Sequence, residues 1–223
     1  GLSRRRCAIA ADPVGAYFAE VAQLEAAAVP AFGQFARELA LHGAPPSQVR
    51  AALRARADEV RHARVTASLA RRHGGRPTLP RVHPSTPRSL VDVARDNATE
   101  GCIRETYGAL IAHLQARRAR DPQVDRALAR IARDETRHAA LSWEFAAWAN
   151  ARMSPTERRQ VAQTTRHNAE QLEAELTRPQ HPRVHDVAGL PSPAESLDLY
   201  RRLRQSLGAE LHVTDDRVEV GRG

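Results

Sequence analysis

Two hexapeptides decide the fold: DEVRHA at residues 58–63 and DETRHA at residues 134–139. They differ at one position and stand 76 residues apart in a chain of 223. On a helix, residues three apart share a face, so Glu59 projects with His62 and Glu135 with His138. A carboxylate and an imidazole on one helical face make half of a metal site. A single such pair reads most simply as a solvated acid beside a solvated histidine. Two copies in nearly the same context weaken that reading.

The surroundings of both hexapeptides are helical. Alanine is abundant, aromatic residues are 4%, and runs of β-branched residues are few. Asp12-Pro13 and Asp121-Pro122 pair an N-cap with proline at the first helical position. Ser47 offers a cap to a second helix. Ser89 with Asp92, Ser154 with Glu157 and Ser192 with Glu195 form capping-box patterns. The punctuation predicts helices over 13–42, 47–73, 89–118 and 122–150, then two more to about residues 177 and 208. The predicted organisation is an N-terminal extension (1–12), a four-helix bundle (13–150), a helical extension (151–208) and a tail (209–223). Between helices 2 and 3 lies RPTLPRVHPSTPR, residues 76–88, with four prolines and no periodicity. Extended, such a segment reaches on the order of 45 Å, more than the roughly 38 Å of a 25-residue helix. Two antiparallel hairpins joined by one long crossover is the expected all-α topology.

Apolar seams locate further carboxylates. In helix 1, Phe18, Val21, Glu25, Ala28, Phe32, Phe35 and Leu39 step by threes and fours, and Glu25 interrupts them. A lone carboxylate in such a seam costs several kcal/mol unless it is neutralised or paired. In helix 4 the seam contains Glu135 and His138. In helix 3, Val93, Asp96, Glu100, Ile103, Tyr107, Leu110 and Leu114 give the matching steps, which places Glu100 on the inner face. Glu25 precedes Glu59 by 34 residues and Glu100 precedes Glu135 by 35, so the half-sites repeat. Glu105 lies five residues beyond Glu100, about 140° around the helix, and is assigned a supporting or gating place instead. Pro30, in mid-helix, predicts a kink near Glu25.

The expected ligands are therefore Glu25, Glu59, His62, Glu100, Glu135 and His138. No thiolate is among them, and the donor set suits iron or manganese. Two divalent ions balance four carboxylates, leaving a neutral centre. Zinc fits the donors but favours four-ligand sites. A metal-free bundle with the acids as buried polar specificity features is the alternative.

The pattern Glu25, Glu59-x-x-His62, Glu100, Glu135-x-x-His138 resembles the ferritin-like di-iron carboxylate proteins over residues 13–150. The wording LEAAAVPAF, DEVRHA, EGCIRET and DETRHA is also similar to a bacterial group of ferritin-like domain proteins of unassigned activity. The resemblance implies two iron ions, or manganese or a mixed pair, and an oxidoreductase acting with dioxygen or peroxide on an unknown small molecule. A non-catalytic iron-handling protein and a tRNA-modifying hydroxylase are the other expectations. It also implies that Asp58 and Asp134 hold the ligating histidines across the bundle. Tyr107, two turns from Glu100, is a candidate neighbour of the site.

The formal charge is +8, and all 34 basic residues are arginine. GC-rich coding explains that bias without a nucleic-acid partner, which is not expected. No apolar run reaches membrane-span length, and an oligomer is compatible with the pattern. Cys7 and Cys102 lack CxxC spacing. No targeting signal is visible, so the cytoplasm is the default expectation, with a removed upstream signal as the alternative.

Overall fold

A computed structural model of the chain describes residues 12–81 and 86–215, with side chains described as far as residue 207. The N-terminal extension up to residue 11, Cys7 included, and residues 216–223 of the expected tail lie outside the described residues. All regular structure among the described residues is helical, as composition predicts, and no helix there is long and apolar enough to cross a membrane.

The first hairpin is α1 (Pro13–Leu41) and α2 (Pro46–Arg72). Asp12 accepts from the Val14 amide and Pro13 takes the first helical position. Pro30 stays inside α1, which runs through it unbroken. The turn uses Gly43 at φ 72°, a left-handed conformation that favours glycine. The cap expected of Ser47 is absent: α2 starts one residue earlier, at Pro46, with Pro45 as a cap that makes no side-chain bond. At the far end, Gly15 and Gly75 meet backbone to backbone, with no room for a side chain on either. The start of α1 therefore lies at the end of α2.

The second hairpin pairs a helical rod with α5 (Pro122–Asn150). The rod is α3 (Leu90–Asp96), a π segment (Asn97–Glu105) and α4 (Thr106–Arg118), with helical backbone through both junctions. Trp143 Nε1 donates to Thr106 Oγ1, and His113 bonds Thr136, each at 3.0 Å, so rod and α5 are antiparallel. Gln48 donates to the Glu144 carbonyl while His62 meets Asp134, so α2 and α5 are antiparallel too.

It follows that α2 and the rod point the same way, and the chain between them must travel end to end. Gly75 sits by Gly15. At the other end the His42 ring bonds the Arg88 carbonyl at 2.9 Å, and the Arg88 guanidinium grips Glu38 at 2.8–2.9 Å. Residues 82–85 of that connection lie outside the described residues.

After α5 come α6 (Pro155–Glu175), α7 (Pro182–Ala188) and α8 (Pro193–Asp215). Ser154 and Glu157 form the expected capping box. The short α7 was not legible from the helical pattern. α8 continues past Gly208, where the sequence suggests an end; a helical glycine costs about 1 kcal/mol without obliging a stop. α6 packs on α3 and the π segment, and Tyr200 of α8 packs edge-on against Tyr107.

Of three apolar clusters among the described residues, two lie along α1, α2 and α5. One joins Leu39, Val93, Leu141 and Phe145; the other joins Val14, Phe18, Leu69, Val124 and Leu128. On α1, α2 and α5 alike, the polar residues of the hexapeptides and Glu25 fall in the chain between these plugs.

Candidate metal centre

α2 and α5 deliver their hexapeptides to one level. His62 Nδ1 lies 3.1 Å from Glu135, 3.5 Å from Glu25 and 3.6 Å from Glu59. His138 Nδ1 lies 3.1 Å from Glu59 and 3.5 Å from Glu135. Two groups of donors follow, each within 4.8 Å: Glu25, Glu59, His62 and Glu135, and Glu105, Glu135 and His138. Glu59 and Glu135 each approach both imidazoles.

The outer ring nitrogens are held across the seam. His62 Nε2 bonds Asp134 at 3.1 Å, and His138 Nε2 bonds Asp58 at 3.3 Å. Arg137 donates to Asp134 and Asp58 at 2.5 and 3.1 Å, and Arg61 binds Asp58 and lies 3.6 Å from Asp134. Each aspartate thus fixes the ring of the opposite helix. Thr66 and Ser142 repeat the pattern one turn on, donating to the carbonyls of His62 and His138.

With the outer nitrogens occupied, both Nδ1 atoms point inward. Both are buried and have no partner in hydrogen-bonding geometry, although carboxylate oxygens crowd them. A buried polar atom without a partner is costly. Oxygens gathered around a nitrogen, but not along its N–H direction, are what a shared cation would organise. The four carboxylates and two imidazoles therefore fit two metal ions.

Protonation follows the same geometry. Burial pushes the Glu25 carboxyl up to about 8, opposed by His62 and reinforced by Glu59 and Glu135. Burial, then Glu135, lifts Glu105 well above the usual carboxylate range. Burial also works against ionisation of Glu59 and Glu135, but His138 and His62 outweigh it and hold both low. Burial opposes charge on the rings too; the neighbouring carboxylates still raise His138 to about 10 and His62 well above its usual value. Without metal, the centre is balanced as two carboxylates against two imidazoliums. Two divalent ions with four carboxylates and neutral rings would reach the same balance, so metal bound there would displace protons.

The expected ligand Glu100 is not in the cluster. Its side chain is 65% exposed and faces Arg104 at 3.7 Å. Glu105 takes the inner position. The rod is apolar on two sides, because α6 and α8 cover its outer face. The large residues that seemed to mark the inner seam, Ile103 and Tyr107, pack outward with Leu172 and Tyr200. Tyr107 is accordingly removed from the site. The inner face is instead Ala94, Ala98, Gly101, Glu105, Gly108, Ala112 and Gln115, a seam of small residues at steps of four and three. The π segment, with its wider turns, further breaks the register copied from the first hairpin. Asp58 and Asp134 bond the ring nitrogens of the opposite helix, the contact that the resemblance implies. Cys102 is buried against Asn97 and the Ser142 carbonyl, and burial pushes its thiol up to about 12, which makes it inert.

On the other side of the cluster, α1 and the rod stand apart. A cavity of about 820 Å³ runs between them, with Glu25, Glu59, Glu105 and Glu135 in its wall. The carboxylates are thus reachable from this side. Set against protein-family models, curated proteins and solved structures, the chain matches none of them.

Proposed function

We propose that the chain is a ferritin-like di-metal carboxylate oxidoreductase that activates dioxygen or peroxide for reaction with an organic substrate. The observation that carries this is the pair of buried Nδ1 atoms, unpartnered and aimed between four carboxyl groups. The order of the donors supports the family: one glutamate from each of two helices, and Glu-x-x-His from each of the other two. Glu25, Glu59, His62 and Glu135 would hold one ion, and Glu105, Glu135, His138 and Glu59 the other. Iron or manganese bound there would supply the change of oxidation state by which dioxygen or peroxide is activated.

The chain's own residues have separable tasks. Asp58 and Asp134 hold Nε2 of His138 and His62, fixing the tautomer that leaves Nδ1 free. Glu59 and Glu135, between the rings, bring charge to both positions. Glu25 and Glu105 face the cavity and carry protons when metal is absent, so they are the groups most able to rearrange. The apolar plugs above and below keep bulk water from the remaining sides. An open cavity beside the cluster favours an enzyme over an iron-handling protein, for which a closed centre would suffice.

Metal analysis of protein purified without oxygen, followed by optical spectroscopy on adding oxygen or peroxide, tests the reading. Two iron or manganese ions per chain and an oxidant-dependent absorption change are expected. A chain that takes up neither metal overturns it.

A further inference from the structure

The cavity beside the cluster has a shape as well as a volume. Along α1 its wall runs from Tyr17 to Phe35, which at 1.5 Å per residue is about 27 Å. Spread over that length, a volume of about 820 Å³ gives a mean cross-section of about 30 Å² for the centres of water-sized groups, or roughly 60 Å² once their radius of about 1.4 Å is added. An α-helix with side chains, 10–12 Å across, needs roughly 80 Å² or more. The groove is therefore too narrow for a helix and wide enough for one extended chain.

Its lining restricts the chemistry of that chain. Away from the four clustered carboxyl groups and from the ionic groups Arg88, Asp96, Glu100 and Arg104, the wall is chiefly apolar, with Val21, Ala28, Phe32 and Ile131 among its residues. Apart from the Ala26 carbonyl, which Pro30 leaves without its helical donor, the backbone of the flanking helices is bonded internally. An extended peptide would bring an unpaired N–H and C=O at every residue, each costly to bury. The cations of the wall are already engaged: Arg88 with Glu38 and Asp96, at 2.8 and 3.0 Å, and Arg104 with Glu175 at 2.9 Å. Neither is left to receive a carboxylate or phosphate. At one end the Tyr17 hydroxyl accepts from Gln115.

Small residues keep the groove open. A Cβ placed on Gly108 would meet nothing within 4 Å, although Gly108 lies in an α-helix and lines the cavity. Glu25 is about 12 Å from the Tyr17 end and about 15 Å from the Phe35 end, so the carboxylates face the middle.

We propose that this groove binds one linear, uncharged aliphatic chain and lays an interior carbon of it against Glu25 and Glu105. As a substrate site this rests on the di-metal reading; as a binding site it does not.

The test is calorimetric titration of the full chain with 1-dodecanol, in metal-free and metal-loaded forms. 1-Adamantanol (uncharged but bulky) and dodecanoate (linear but charged) serve as comparisons. One dodecanol per chain is expected, about tenfold tighter than either comparison. Gly108→Phe should weaken dodecanol binding by about tenfold or more while helix content and metal uptake stay unchanged and the melting temperature does not fall. Ala28→Phe, from the opposite wall, repeats the test should Gly108→Phe fold poorly. No saturable dodecanol binding, equal binding of adamantanol or dodecanoate, or unaltered binding by both filled variants would overturn the proposal. Dodecanol binding by a chain that takes up no metal would leave the groove standing and sink the di-metal reading instead.

Discussion

The two long seams of the molecule are built in opposite ways. The α2–α5 seam is closed and repeats itself at a spacing of 76: Asp58 with Asp134, Glu59 with Glu135, Arg61 with Arg137, His62 with His138, Thr66 with Ser142. Its polar groups are locked to one another across the seam. The seam between α1 and the rod is open and does not repeat, since Glu25 and Glu105 are 80 residues apart. Its rod side mixes Gly101, Gly108 and Ala112 with Val93, Glu100, Glu105 and Ile111, and a cavity takes the place of packing. The contrast teaches a division of labour. Groups whose orientation must be fixed sit where two helices touch, and groups that must meet a ligand sit where two helices part.

The strongest way to break this contrast is to remove donors one at a time. Glu135→Ala, on the closed seam and near both rings, should abolish binding of both metals. Glu105→Ala should lose roughly one ion per chain, and Glu100→Ala should keep both. Metal analysis after gel filtration reads all three. Retention of two ions by Glu105→Ala with loss in Glu100→Ala would show that the rod faces the other way.

Acidity sharpens the comparison next. Glu25 and His138 both have raised folded values, about 8 and about 10. Groups raised in the folded state contribute stability that is full below their unfolded values and lost as pH rises through the folded ones. For Glu25 that window is about pH 4.3 to 8, and for His138 about 6.5 to 10. On the di-metal reading, metal would replace these protons, so its stabilising effect would grow with pH. Iron or manganese should raise the melting temperature more at pH 7 than at pH 5, and release on the order of four protons per chain at neutral pH. An increase in melting temperature equal at both pH values would contradict the exchange of protons for metal.

The closed seam was legible in the sequence and the open one was not, for a physical reason. Duplicated hexapeptides carry their own register, so the pairing of Glu59 with His62 and of Glu135 with His138 followed from three-residue spacing, while the part of the two aspartates came only from the family resemblance. The end-to-end crossover followed from proline content and length. Apolar periodicity, by contrast, reports only that a face is covered, not by what. On the rod it found the face that Tyr107 and Ile103 turn toward α6 and α8. The face toward the carboxylates carries Gly101, Gly108 and Ala112 where it borders the cavity, and a hydrophobicity pattern cannot see a cavity. The four-and-three spacing of Ala94, Ala98, Gly101, Glu105, Gly108 and Ala112 was the available signal.

Where the open seam closes at one end, Arg88 acts as a clamp. It binds Glu38 of α1, a side chain 1% exposed, and Asp96 of α3. Removing the guanidinium leaves a buried carboxylate without its partner, so Arg88→Ala should destabilise by about 2–4 kcal/mol, measured by urea unfolding. Burial opposes ionisation of Glu38, but Arg88 and then Gln34 prevail and hold it below its usual value. A depressed carboxyl contributes stability above its unfolded value, near 4.3, and loses it as pH falls through the folded one. The wild-type chain should therefore lose stability below about pH 4 more steeply than Glu38→Gln. Matching acid profiles would mean the clamp carries no net charge effect.

The smallest effects come from two glycines on one face of the rod. A Cβ on Gly101 would collide with Ser142 and Asn97, where the π segment approaches α5. Relief requires moving a helix or breaking the Asn97 bond to the Ser142 carbonyl, so Gly101→Ala should destabilise by about 1–3 kcal/mol. At Gly108 the same methyl meets open space in a helical backbone. There the gain is lower entropy of the unfolded chain and better helix propensity, so Gly108→Ala should stabilise by about 0.5–1 kcal/mol. The two variants differ only in where the rod stands relative to its neighbours, which makes their sign a direct reading of the seam. Chemical denaturation of both, at equal metal content, would show opposite shifts in midpoint. Destabilisation by Gly108→Ala as large as that by Gly101→Ala would mean that α1 and the rod are packed together in solution and that the groove between them is closed.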